Sequence, residues 1–103
     1  MFIKGRRTII NMEAIKTIKI EHYSYCFKIN AYDFDDKKYT LILIPDVENK
    51  DGLLEIVKTY DIAKIVIETI FKCKTKGYDV DLLEIVDFLN EEYKIKNKIL
   101  TLI

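Results

Sequence analysis

Residues 53–76 read LLEIVKTYDIAKIVIETIFKCKTK, and the hydrophobic rhythm of the chain changes inside this stretch. Before Tyr60 apolar side chains recur with period two. After it, Ile62, Val66, Ile70 and Cys73 form one helical stripe, and Ala63, Ile67 and Phe71 form a second beside it. The pattern predicts a helix over about 62–74 whose apolar arc is wide for a surface helix. Asp61 and Glu68 precede Lys72, Lys74 and Lys76, the charge order that the helix dipole favours, and Gly77 is a suitable stop. Residues 53–60 satisfy two patterns. As a strand, Leu54, Ile56 and Tyr60 alternate with Glu55 and Thr59; as a helix, Leu53, Ile56, Val57 and Tyr60 share a face. Their β-branched content, and Asp61 as a ready N-cap, favour a strand here with the helix beginning after it.

Toward the N-terminus the period-two signal dominates. Residues 39–44 are apolar on both faces, as in a central strand, and Pro45 ends them by removing a ladder donor. Asp33, Asp35, Asp36, Lys37 and Lys38 make a hairpin tip, because Asp side chains bond the backbone two residues on. In front of it Ile18, Ile20 and His22 alternate with Lys19, Glu21 and Tyr23, and the alternation runs on through Tyr25, Phe27, Ile29 and Ala31. Residues 2–4 and 8–10 flank Gly5-Arg6-Arg7, a short hairpin in which glycine would supply a positive φ. Residues 46–52 read as a solvated polar loop.

Toward the C-terminus Leu82, Ile85, Val86, Leu89 and Tyr93 repeat at helical spacing behind a cap at Asp79 or Asp81, with Glu84 completing a box-like start if Asp81 is the cap. Residues 95–103 fit a continued helix, a final strand or a tail that orders against a partner. The expected fold is a single α+β domain over 1–103: an antiparallel sheet of about five or six strands from residues 1–60, with two C-terminal helices from 61–94 packed on one face.

Composition narrows the function classes. Half of the 103 residues are hydrophobic, with 3 Gly and 1 Pro, which excludes a disordered chain. Seventeen basic and seventeen acidic residues cancel, so no whole-molecule field draws the protein to nucleic acid or anionic lipid, and weak self-repulsion tilts it toward self-association. The absence of a signal-like apolar run near the start, and of any stretch of about 18 apolar residues, leads to the expectation of a cytoplasmic protein without a membrane partner.

No stretch carries a catalytic signature. Asp46, Glu48, Asp51 and Gly52 fail the calcium-loop pattern, because the sixth position from Asp46 is Asp51 and the twelfth is Val57. Gly5 has no phosphate-loop context. His22 is the only histidine, and Cys26 and Cys73 lack metal-ligand spacing, so they read as buried reduced thiols. The expectation is a non-enzyme without cofactor or metal.

Two surfaces stand out instead. The wide helix arc offers Ile62, Ile65, Val66, Ile67, Ile70 and Phe71 to a protein partner or a second copy, unless the second helix covers it. Lys72, Lys74, Lys76, Lys94, Lys96 and Lys98 could form a basic patch with Lys4, Arg6 and Arg7, and nucleic acid is the weaker alternative partner, for want of interleaved exposed aromatics. Asp79, Asp81, Glu84, Asp87, Glu91 and Glu92 run without a basic residue just ahead of Lys94, a segregation that suits either a symmetric dimer or helix dipoles.

At Ile10, Asn11, Ile15, Ile18 and Ile20, and again at Tyr60 and Ala63, the chain resembles a group of short uncharacterised proteins of low-GC bacteria and their phages. In these an Ile/Asn turn leads into an Ile-rich strand, and a Tyr-x-x-Ala start opens a helix. The resemblance covers residues 1–77. It implies a β-meander closed by a helix, somewhat like a pleckstrin-homology arrangement, and it transfers no activity.

Overall fold

The computed structural model describes residues 1–46, 56–95 and 98–103. The fold is α+β, with antiparallel pairing dominant and both helices C-terminal. Strands β1 (Phe2–Lys4) and β2 (Ile9–Asn11) form a hairpin, and a 3₁₀ turn, Met12–Ala14, leads into β3 (Ile15–Tyr23), β4 (Cys26–Asp33) and β5 (Lys38–Pro45). Helix α1 (Ile56–Lys76), a two-residue strand β6 (Val80–Asp81), helix α2 (Leu82–Glu92) and strand β7 (Leu100–Thr101) follow. The strands divide between two sheets, β3-β4-β5-β7, antiparallel throughout, and β2-β1-β6, in which β6 runs parallel to β1.

The larger sheet follows its binary pattern. Ile18, Ile20 and His22 stand opposite Ala31, Ile29 and Phe27, so one face collects the apolar residues, and α1 packs across β3, β4 and β5 on it. Phe27, Ile29, Ala31, Ile42 and Ile44 are buried there with Ile62, Ala63, Val66 and Ile70 of α1. Each fully buried aliphatic contributes about 1.5–3 kcal/mol. The other face carries Lys19, Glu21, Lys28 and Asn30 on β3 and β4, and Leu43 and Leu100 at the β5–β7 end. Glu21 accepts hydrogen bonds from Asn30 Nδ2 at 3.2 Å and from the Tyr32 hydroxyl, and the Lys28 ammonium lies 4.6 Å from the Tyr23 ring centre.

Several local expectations are corrected. Residues 56–60 are helical, the first turns of α1 rather than a strand; residues 53–55 lie outside the described ones. The buried set Thr59, Ile62, Ala63, Val66 and Ile70 extends the helical stripe backward past Asp61, which sits exposed within the helix and caps nothing. Tertiary burial along a helical face outweighs the β-branched bias of the segment. The alternation of residues 18–31 is two strands, because Ser24 and Tyr25 form a two-residue turn with Tyr23 opposite Cys26. Facing residues across this turn have opposite parity, so the apolar face passes from the even positions Ile18, Ile20 and His22 to the odd positions Phe27, Ile29 and Ala31, and that switch at Tyr23 is the mark of the break. Gly5 has no positive φ. A Cβ there would lie 2.4 Å from the carbonyl oxygen of Ile103, so glycine is required by a close approach.

Other features stand as expected. Asp33 Oδ1 accepts from the backbone N–H groups of Asp35 and Lys37, 2.9 Å each, and closes the β4–β5 tip. Gly77 ends α1 at φ +77°, with Tyr78 N–H on the Cys73 carbonyl and Gly77 N–H on that of Lys74, the two bonds of a Schellman stop. Asp81 Oδ1 caps α2 through Leu83 N–H and Glu84 N–H at 3.1 and 3.3 Å. Of the three options for the last residues, the final strand is realised: Ile99 is buried and β7 pairs with β5. No helix among the described residues is long and apolar enough to cross a membrane.

Candidate protein-interaction groove

Helices α1 and α2 are joined by the tight turn after Gly77, so the end of α1 lies near the start of α2. Between them runs a groove of about 380 Å³. Its α1 wall is Ile65, Thr69 and Cys73, one flank of the helix at spacing i, i+4, i+8; its α2 wall is Ile85, Phe88 and Leu89. Leu89 is buried and Ile65, Cys73 and Ile85 are half-buried, whereas Phe88 stands at the lip with 62% of its surface exposed. The charged groups lining the groove are all acidic, Asp79, Asp81 and Glu84, and they gather at the α2 N-terminus.

Two of these acids are already engaged within the chain. Asp79 Oδ1 accepts from Phe2 N–H at 2.9 Å and Oδ2 lies 3.5 Å from Lys4 Nζ, which ties β1 to the α1–α2 connection. The Phe2 amide, and then the Lys4 charge, hold the Asp79 carboxyl below the usual carboxylate range. Asp81 commits Oδ1 to its cap. Glu84 and the second oxygen of Asp81 are left to meet a cation. Along α2 itself there is no basic residue, since Glu84, Asp87, Glu91 and Glu92 supply all of its formal charge.

The residues singled out in the sequence scatter. Ile62, Val66 and Ile70 belong to the core and present no surface. Ile65 enters the groove wall. Ile67 is half-buried, and Phe71, 51% exposed, lines a smaller crevice of about 130 Å³ on the opposite flank of α1, beside Met12, Ile15 and Ile18. Lys72 and Lys76 share a face of α1 while Lys74 points about 200° away from Lys72, because a spacing of two is half a helical turn. Lys94 and Lys98 are exposed beyond α2, and Lys96 lies outside the described residues. Both thiols are free and half-buried rather than fully buried.

Of the stretch 46–52, read as a solvated loop, residues 47–52 lie outside the described ones, and Asp46 is buried: its side chain is 2% exposed, and His22 Nε2 lies 3.6 Å from Oδ2. Neither carboxylate oxygen has a hydrogen-bond partner among the described residues. His22 stacks on Phe27 at 4.3 Å between ring centres. This pair supplies two ligand atoms, and among the described residues no group of three or more His, Cys, Asp and Glu side chains could hold a metal ion.

The groove residues missed by sequence reasoning are Ile85, Phe88 and Glu84 acting together. The available signal is Phe88, an aromatic side chain that falls off the Leu82, Val86, Leu89 stripe and therefore has no place in the core. A scan against protein-family models, a search of curated proteins and a search of solved structures each give no significant match. The class defined by the chain itself is a small α+β domain with an open, acid-rimmed groove between its two helices.

Proposed function

We propose that this chain is a cytoplasmic, non-enzymatic protein-interaction module, and that the α1/α2 groove takes a basic amphipathic helix from its partner. The observation that carries the reading is the coincidence of an apolar floor with a rim whose charges are all acidic. An amphipathic helix lays apolar side chains at i and i+4 into such a groove, and a Lys or Arg beside them would meet Glu84 and Asp81. The exposed ring of Phe88 at the lip is the kind of anchor that dominates interface energetics.

Selection from a random helical-peptide display library on the intact protein tests this. The expected winners carry Lys or Arg next to an i, i+4 apolar pair, lose binding to Phe88→Asp, and weaken on Glu84→Lys. Alkylating Cys73 with a bulky maleimide, in a Cys26→Ser background, should block them. Winners without basic residues, or binding indifferent to Phe88→Asp, would overturn the proposal. Steeply salt-dependent binding of single-stranded oligonucleotides with no peptide selection would return the function to the exposed lysines.

A further inference from the structure

Strand β3 is nine residues long and ends its sheet: the order β3-β4-β5-β7 leaves its far side unpaired among the described residues. Backbone N–H and C=O groups along such an edge are a template for another strand. We propose that the strand that takes this edge is β3 of a second copy, paired antiparallel about a two-fold axis through Ile20.

The register follows from symmetry and charge. A two-fold axis normal to the sheet sets one residue opposite itself, and residues equally far to either side opposite one another. The bulge between Ile15 and Thr17 ends the regular stretch of β3 on one side, and the turn at Ser24 ends it on the other. Pairing is thereby confined to residues 17–23, whose midpoint is Ile20. With that centre Lys19 stands opposite Glu21 of the second copy, twice by symmetry, Ile18 opposite His22 and Thr17 opposite Tyr23. A centre at Lys19 or Glu21 would oppose like charges. A centre at Ile18 or His22 pairs fewer residues and sets no acid against a base.

The side chains are placed for this register. Glu21 is held in position by Asn30 Nδ2 and the Tyr32 hydroxyl, and the Lys19 ammonium lies 5.2 Å from the Tyr32 ring centre. Lysines on an edge strand usually block pairing. Here the charge of Lys19 is answered across the axis, and Lys16 lies in the bulge, outside the paired stretch. Ile18 and Ile20, half-buried in one chain, gain cover in two. The zero formal charge adds no net repulsion between copies. The product is one continuous sheet built from two four-stranded ones.

Light scattering on size-exclusion fractions of four samples tests the register: the wild type, Lys19→Glu, Glu21→Lys, and the two variants mixed. The wild type should be a dimer. Each variant alone sets like charges across the axis, weakening association about tenfold or more, and should run as a monomer. Their mixture should recover the dimer, because the carboxylate introduced at position 19 of one variant then meets the ammonium introduced at position 21 of the other. Far-ultraviolet circular dichroism confirms that each variant is folded. A monomeric wild type, a dimeric single variant, or a mixture that stays monomeric would each overturn the proposal. A Phe88→Asp control should remain dimeric; loss of the dimer there would place the interface in the groove instead.

Discussion

Gly5→Ala is a one-methyl perturbation that reads the closure of the fold. The added Cβ would sit 2.4 Å from the Ile103 carbonyl oxygen, 2.5 Å from Ile103 Cγ1 and 2.8 Å from the Ile103 carbonyl carbon, two of them backbone atoms. Ordinary van der Waals contact begins near 3.4 Å, so the last residue must move by about 1 Å. The same carbonyl accepts from Arg6 and Arg7 N–H, so the displacement also weakens the bonds that tie the terminus to the β1–β2 turn. Overpacking of this kind costs about 1–3 kcal/mol. For a domain of this size a loss near 2 kcal/mol lowers the melting temperature by about 8–16 °C. The assay is a thermal melt of four proteins: wild type, Gly5→Ala, the chain ending at residue 102, and the combination. Close approach requires non-additivity: the methyl costs about 2 kcal/mol in the full chain and under about 0.5 kcal/mol once residue 103 is gone. An equal cost in both backgrounds would refute the steric argument and return the glycine to a purely conformational role.

Core and surface on α1 should separate sharply. Ile70→Ala, at a fully buried position, is expected to cost about 2–5 kcal/mol in chemical denaturation, whereas Phe71→Ala, one residue on and half exposed, should stay within about 1 kcal/mol. Asp81→Ala removes the cap of α2 and should lower stability by about 1 kcal/mol in the same assay, with Asp81→Ser recovering most of it. The hydrogen bond to Glu21, then desolvation, pushes the Tyr32 hydroxyl from 10.0 up to about 12. The contribution of Tyr32 is therefore present below pH 10 and lost as pH rises through about 12. Tyr32 and then Asn30 hold the Glu21 carboxyl below its ordinary 4.5, so the contribution of Glu21 is present above that value and lost as pH falls through the lowered one. Glu21→Gln should return one tyrosine of the ultraviolet phenolate titration from about 12 toward 10; an unchanged titration curve would break the assignment.

The elements with long periodic signals are legible in the sequence, and those set by tertiary contact are not. Residues 39–44, apolar on both faces, announce a strand with neighbours on either side, and β5 does lie between β4 and β7. Asp33, Gly77 and Asp81 each carry their local instruction in one side chain or in the lack of one. The start of α1 escapes the pattern because Thr59, a β-branched polar residue, is fully buried on the helical face, which neither propensity nor hydropathy reveals. Strands β6 and β7 have two residues each, too few for any period, and exist because Ile3 and Ile42 offer backbone partners. The groove is half legible. Its acids are visible as a run without a base, but the wide arc of α1 reads as one surface when in fact the sheet covers its centre and leaves only the flanks.

That division of α1 determines how the two proposed contacts relate. The flank carrying Ile70, Phe71 and Lys74 faces the start of β3, whereas the flank carrying Ile65, Thr69 and Cys73 faces α2. The helix thus stands between the β3 edge and the groove, and a dimer formed along the edge would leave both grooves open. Two grooves held in fixed relation by one continuous sheet would bind a partner with paired basic helices more tightly than one groove does, provided the linker spans them. Lys19→Glu then separates the two effects. It should leave the affinity of a single helical peptide unchanged while removing the advantage of a tandem one, as measured by titration calorimetry on the same protein. Equal loss for both peptides would mean that the edge and the groove are not independent surfaces.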